Sequence, residues 1–138
     1  MANERLEFNS KVIEEFRANG GKVGGPFEGA SLLLLTTTGS KSGQPRTSPL
    51  VYTTDGDRIV IIASMAGAPT NPAWYHNVRA QPEATVEIGT ETIKVRAHDA
   101  EGAERQRLYD AQAEVMPAFK EYAAKTERVI PVVLLDRV

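Results

Sequence analysis

The stretch "SLLLLTTTGSKSGQPRTSPLVYTTDGDRIVIIAS" (residues 31–64) holds three apolar runs separated by two turn signals. Asp55-Gly56 is the two-residue signature of a tight hairpin, and the runs it joins, RTSPLVYTT and RIVIIAS, read as its strands. The segment Gly39–Gly43 links SLLLLTTT to the second strand through glycine, serine and a following proline, all turn formers. Strands joined this closely pair antiparallel, because a parallel pair needs a crossover of a dozen or more residues.

Working outward, Asn71-Pro72 reads as a helix cap followed by proline in the first turn, with the helix ending before Pro82. "ATVEIGTETIKVRAHD" (84–99) is a second hairpin turning near Gly89, with Val86, Ile88, Ile93 and Val95 alternating. Asp99 is expected to cap a helix whose apolar stripe is Leu108, Ala111 and Val115. Pro117 then starts a short helix carrying Phe119 and Tyr122, and "VIPVVLLD" closes the chain as a buried strand. At the other end, Phe8, Val12 and Phe16 recur at i, i+4 and i+8 beside Ile13, so residues 5–18 form an amphipathic helix. That face either packs on the core, covers a substrate or touches a membrane surface, and a glycine-rich connector (20–30) follows it.

The order α-β-β-β-α-β-β-α-α-β lacks regular βαβ alternation, so the class is α+β. Six mainly antiparallel strands with flanking helices close most economically as a small barrel, which removes exposed edges. The length, 138 residues, suits one domain over 1–138. A net charge of −2 argues against a nucleic-acid partner. Cysteine is absent, which excludes disulfides, thiol nucleophiles and iron–sulfur ligands, and two histidines, His76 and His98, make no metal-site spacing. With no signal pattern and no apolar run near the ~20 residues of a span, the expected location is cytoplasmic.

No acid occurs between Ser31 and Thr54, yet Lys41 and Arg46 flank the first turn. Gly39, Ser42 and Gly43 can turn backbone N–H groups toward an anion, and the two cations add charge. A second acid-free window, Arg58 to Pro82, contains Arg58, Arg79 and the start of the 72–80 helix. No Walker A loop, G-x-G-x-x-G or G-x-S-x-G motif is present. The small-residue run ASMAGAPT (63–70), followed by Trp74 and Tyr75, suits a planar heterocycle as well as plain core packing. A bound redox cofactor would account for the lack of an acid–base cluster.

"LLLLTTTGSKSGQPRTSPLVY", "GDRIVIIASMAGAPTNPAWYHNVRAQPEATVEIG" and "RVIPVVLLD" resemble the deazaflavin-dependent nitroreductase family of actinobacteria, over residues 8–137. The resemblance implies a split β-barrel related to flavin reductases. It implies the coenzyme F-420, an 8-hydroxy-5-deazaflavin, as hydride donor to quinones, unsaturated lactones such as coumarin-type compounds, or nitroaromatics. By the same resemblance, Ser40, Lys41, Ser42 and Arg46 would hold the coenzyme's phosphate and acidic tail. Thr47, Ser48, Pro49, Leu50 and Val51 would run beneath the ring with Ile62, Ala63, Ser64 and Met65, and Ala73, Trp74, Tyr75, His76 and Asn77 would flank it. Met116, Phe119, Tyr122 and Trp74 would line the acceptor side, with Tyr122 or Ser64 polarising the acceptor. The chain departs from relatives at Ser40 (often Arg), Met65 (often Lys), and Met116 and Phe119 (often Tyr), which makes the acceptor pocket more apolar. The implied partner is a small hydrophobic electron acceptor, and the expected state is a monomer or weak dimer. FMN in the same kind of barrel, a non-enzymatic coenzyme carrier and a general anion-binding domain are the competing readings.

Overall fold

The computed structural model describes residues 2–25, 31–64, 70–127 and 129–138, with side chains from Phe8 onward. Among them are α1 (Ala2–Ala18), β1 (Leu32–Thr38), β2 (Pro45–Asp55), β3 (Arg58–Ile62) and α2 (Ala73–Ala80). β4 (Glu83–Ile88), β5 (Glu91–Asp99), α3 (Gly102–Val115), α4 (Ala118–Lys125) and β6 (Val132–Arg137) follow. The six strands close into a barrel in the order β1-β2-β3-β6-β5-β4, every neighbour antiparallel. The hairpins expected at Gly39–Gly43, Asp55-Gly56 and Gly89 are all present, and Gly56 and Gly89 adopt φ of 63° and 60°. Non-local pairs complete the closure: Leu35 opposite Val86 joins β1 to β4, and Ile61 opposite Val133 joins β3 to β6.

Alternation sorts each strand between two faces. Leu33, Leu35, Ile59, Ile61, Val86, Val95, Val133 and Leu135 fill the barrel, plugged by Trp74, Tyr75 and Val78 of α2. The outward Leu32 and Leu34 lie under Val12 and Phe16 of α1. The outward Val60, Ile62, Val132 and Leu134 lie under α3 and α4. β1, β3 and β6 are therefore covered on both faces, which is why they read as unbroken apolar runs. β5 alternates buried and exposed residues over its second half, its outer row being open among the described residues.

Four local expectations shift. Pro72, with extended backbone, takes the cap position of α2, so the cap lies one residue after Asn71. α3 is capped at Glu101, while Asp99 ends β5 and binds Tyr75 and Arg79. The buried face of α3 is Leu108, Tyr109, Gln112 and Ala113; Ala111 and Val115 are exposed. The apolar stripe misled because a glutamine occupies the inward position. Finally, β2, which reads as an apolar run like β1 and β3, is half-buried or exposed at every residue.

α1 is held as a fixed wall element. Val12 is 5% and Phe16 1% exposed, the Arg17 guanidinium donates to both oxygens of Glu87 (3.1 and 2.9 Å), and the Gly24 N–H donates to Glu15 Oε2 at 2.6 Å. Burial of such side chains stabilises by about 1.5–3 kcal/mol each. Of the three readings of this helix face, packing on the core is the one seen, with Phe8 left as its exposed aromatic. No helix among the described residues is long and apolar enough to cross a membrane.

Candidate functional site

The turn between β1 and β2 is built by its own backbone. The Gly39 N–H donates to Gln44 O (2.8 Å) and the Gly43 N–H to Gly39 O (2.9 Å). The Gln44 N–H donates to Ser42 Oγ at 3.2 Å. Gly43 sits at φ 73°, which favours glycine, and a Cβ on Gly39 would lie 2.6 Å from Ser42 Oγ and 3.2 Å from Gln44 O, so the turn crowds that position. The amides of Gly39 and Gly43, expected to face an anion, are therefore engaged internally. The N–H groups of Lys41 and Ser42 make no hydrogen bond among the described residues, so they replace the glycine amides as the donors available to an anion.

Asn77 anchors this turn from α2. Its side chain is buried, accepts from the Ser40 N–H at Oδ1 (3.0 Å), and donates from Nδ2 to Thr37 Oγ1 (3.0 Å). The amide thus faces the barrel wall and fixes where Ser40, Lys41 and Ser42 sit relative to the helix. Thr37, which sequence reasoning missed, follows Leu33 and Leu35 in the interior row; a lone hydroxyl in that row was the available signal.

Charge separates the two acid-free windows. Lys41 and Arg46 are exposed and make no ion pair among the described residues. Arg58 instead bridges Asp55 and Glu104 (3.1 Å to Glu104), and Arg107 donates to both Asp55 oxygens at 3.1 and 3.2 Å. Those guanidinium groups, Arg107 foremost and then Arg58, hold the Asp55 carboxyl down at about 2. Arg79 donates to Asp99 (3.2 Å) and to the Tyr75 hydroxyl (3.0 Å). The window from Arg58 to Pro82 is neutralised by Asp55 just before it and by Asp99 and Glu104 after it, whereas the turn at 39–46 has no such partner among the described residues.

The remaining candidates divide by position. Trp74 and Tyr75, each 6% exposed and in edge contact with ring centroids 6.3 Å apart, belong to the barrel plug rather than to an open wall. The Tyr75 hydroxyl donates to Asp99 Oδ2 at 2.6 Å; burial, then that carboxylate, pushes its pKa up. Ala73 and His76 are the exposed residues of the same turn of α2. On β2 the register places Ser48 and Leu50 opposite the interior Leu35 and Leu33, while Thr47, Pro49 and Val51 oppose the outward Thr36, Leu34 and Leu32. The five cannot all face one ligand: the outward row is Thr47, Pro49 and Val51, with Thr47 Oγ1 2.9 Å from Thr36 Oγ1. Ile62 packs outward beneath α3 and α4, Ala63 faces inward, and Ser64 is buried just beyond β3. Met65 lies outside the described residues, as does most of the small-residue run after it. Phe119 is buried against Tyr109 and Tyr122 (centroids 6.3 and 5.2 Å), and Met116 and Tyr122 border that layer half-buried.

Two clefts stand out among the described residues, one between Arg17, Glu87 and Gly89–Thr92, the other between Arg79, His98, Asp99 and Glu101. Neither contains a residue expected to hold the coenzyme or the acceptor. No group of three metal-ligating side chains occurs among the described residues. Among the described residues the candidate site is thus an open surface: a turn with two free amides and two unpaired cations, leading onto the outward row of β2 and toward the end of β3.

The family model described as "F420H(2)-dependent quinone reductase" matches residues 9–137. A protein of that description from Mycobacterium tuberculosis is 38% identical over 128 residues, covering 88% of this chain and 85% of the relative. A solved structure described as an F420-H2 dependent reductase is 36% identical, with a TM-score of 0.71 over 77% of this chain and 94% of that one. Another, described as a domain-swapped dimer, is 32% identical with a TM-score of 0.73, covering 98% and 96% of the two chains.

Proposed function

The chain belongs to the F420H(2)-dependent quinone reductase family, and we propose that its turn at 39–44 holds the anionic tail of the reduced deazaflavin while a quinone accepts hydride beside α3 and α4. It is an oxidoreductase whose cofactor is coenzyme F-420. The FMN alternative has no support among these relatives, and a non-catalytic carrier does not match how they are described.

One observation carries the tail assignment. Arg58, Arg79 and Arg107 are each bound to carboxylates, whereas Lys41 and Arg46 at the turn pair with none among the described residues. Charge left uncompensated beside two free amides fits a phosphate and glutamate carboxylates. When bound, the deazaflavin supplies the hydride. The protein's own residues do the rest. Lys41 and Ser42 donate backbone N–H groups to the tail, Arg46 can grip two of its oxygens, and Asn77 keeps the turn in register. Pro49 gives an apolar floor beside the ring, its neighbour Val51 packing against the α1 layer, and Ile62, with the α3–α4 layer, excludes water from the acceptor. The Tyr122 hydroxyl, half-buried and without a hydrogen bond among the described residues, polarises the accepting oxygen, with Ser64 as second candidate.

The test is oxidation of reduced coenzyme F-420 followed spectrophotometrically with menaquinone analogues, coumarin-type lactones and nitroaromatics as rival acceptors. Quinones are expected to turn over fastest. Lys41→Ala with Arg46→Ala should weaken coenzyme binding at least tenfold at low salt, and less as salt rises, since an exposed site is screened. Wild-type affinity in the double variant would overturn the tail site.

A further inference from the structure

Among the described residues, a single buried side-chain nitrogen or oxygen lacks a hydrogen-bond partner: Nε2 of Gln112. The residue is 2% exposed, on the inward face of α3 between Tyr109 and Met116. An unmade hydrogen bond on a buried amide costs about 1–3 kcal/mol, and leucine or methionine fits a helix face of this kind without that cost. Two other polar side chains of α3 donate to backbone oxygens. The Tyr109 hydroxyl donates to Phe119 O at 2.5 Å, and the Arg105 guanidinium donates to Ile130 O at 2.7 and 3.1 Å. Other buried polar side chains near the site are engaged, Asn77 with Thr37 and Ser40, Tyr75 with Asp99.

The layer that holds Gln112 is the one that adjoins the end of β3. Leu108, Tyr109, Ala113 and Phe119 pack there with Ile62, bordered by Met116 and Tyr122. We propose that the Gln112 amide is an acceptor-binding group: its free N–H donates to a carbonyl oxygen of the quinone once the acceptor enters this layer. The inference rests on the quinone reductase reading above. A quinone gains one hydride, two electrons with one proton, and then a proton from water to become a hydroquinone. Between those events negative charge gathers on its oxygen, and a preorganised N–H in a dry layer stabilises that charge more than it stabilises the bound quinone. A donor left unbonded in the free protein needs no internal bond to be broken when the acceptor arrives.

The proposal predicts that stability and activity move in opposite directions. Gln112→Leu should unfold at the same or a higher urea concentration than wild type and bind coenzyme F-420 unchanged, yet lose about tenfold in kcat/KM for menaquinone analogues, the worth of one hydrogen bond at about 1.4 kcal/mol per decade. In Gln112→Glu the donor exists only while the carboxyl is protonated, so quinone turnover should fall with rising pH in a range where wild type is flat. A Gln112→Leu variant with wild-type kcat/KM overturns the inference, as does one that loses stability and coenzyme binding together, or a Gln112→Glu pH profile parallel to wild type. Wild-type protein that oxidises no reduced coenzyme with any quinone overturns the underlying reading instead.

Discussion

Replacing Asn77 with alanine tests whether the turn is positioned from α2. The side chain is 6% exposed and makes two hydrogen bonds of 3.0 Å, to the Ser40 N–H and to Thr37 Oγ1. Each neutral bond contributes about 1 kcal/mol net, and stranding the Thr37 hydroxyl, 2% exposed, adds about 1–3 kcal/mol. The total, about 3–5 kcal/mol, is a large share of the roughly 5–15 kcal/mol that holds a domain together, so the variant should fold with a clearly lower urea midpoint. Ser40 loses its tether at the same time, and with it the fixed placement of the Lys41 and Ser42 amides. Coenzyme affinity should therefore fall about tenfold, measured by quenching of Trp74, the sole tryptophan. Thr37→Val is the control: it removes one bond but leaves Asn77 on Ser40, so it should destabilise without changing affinity. If Asn77→Ala bound the coenzyme like wild type, or if Thr37→Val weakened binding equally, the positioning argument would be refuted.

Phe16→Ala should cost about 3–5 kcal/mol in urea unfolding, because Phe16 is 1% exposed against Leu32 and Leu34; a change confined to KM for bulky acceptors would restore α1 as a movable cover. The Asp55 carboxyl, held at about 2 by Arg107 and Arg58, titrates below the value near ~4 of an unfolded aspartate. Its folded pKa is the lower one, so its stabilisation is complete above pH ~4 and is lost as pH falls toward 2. Urea midpoints measured from pH 5 to 2 should fall less steeply in Asp55→Asn than in wild type, and equal slopes would contradict the ion-pair assignment.

Much of the site's chemistry was legible in residues 36–50, because a turn is a local object: glycine, serine and proline fix it with neighbours a few positions away. The unpaired state of Lys41 and Arg46 could be suspected from the absence of acids nearby, and the tertiary structure agrees. The same logic failed for Arg58 and Arg79. Arg79 pairs with Asp99, 20 positions away, and Arg58 pairs both with Glu104, 46 positions away, and with Asp55, which lies just outside the acid-free window. The glycine amides were assigned to an anion because sequence cannot say which N–H groups a turn uses to close itself.

The sequence by itself determined the elements and their class. Apolar periodicity, Asp55-Gly56 and the two prolines at 72 and 117 act within a few residues, where chain connectivity already holds the partners together. Only the tertiary structure decided what each face meets. It placed Leu32 and Leu34 outside the barrel under α1, put Trp74 and Tyr75 in the plug, turned Asn77 toward Thr37, and buried Gln112 on α3. The reason is physical: alternation and helical period fix which residues share a face, but whether that face meets leucine, solvent or a ligand depends on strands brought together across the whole chain.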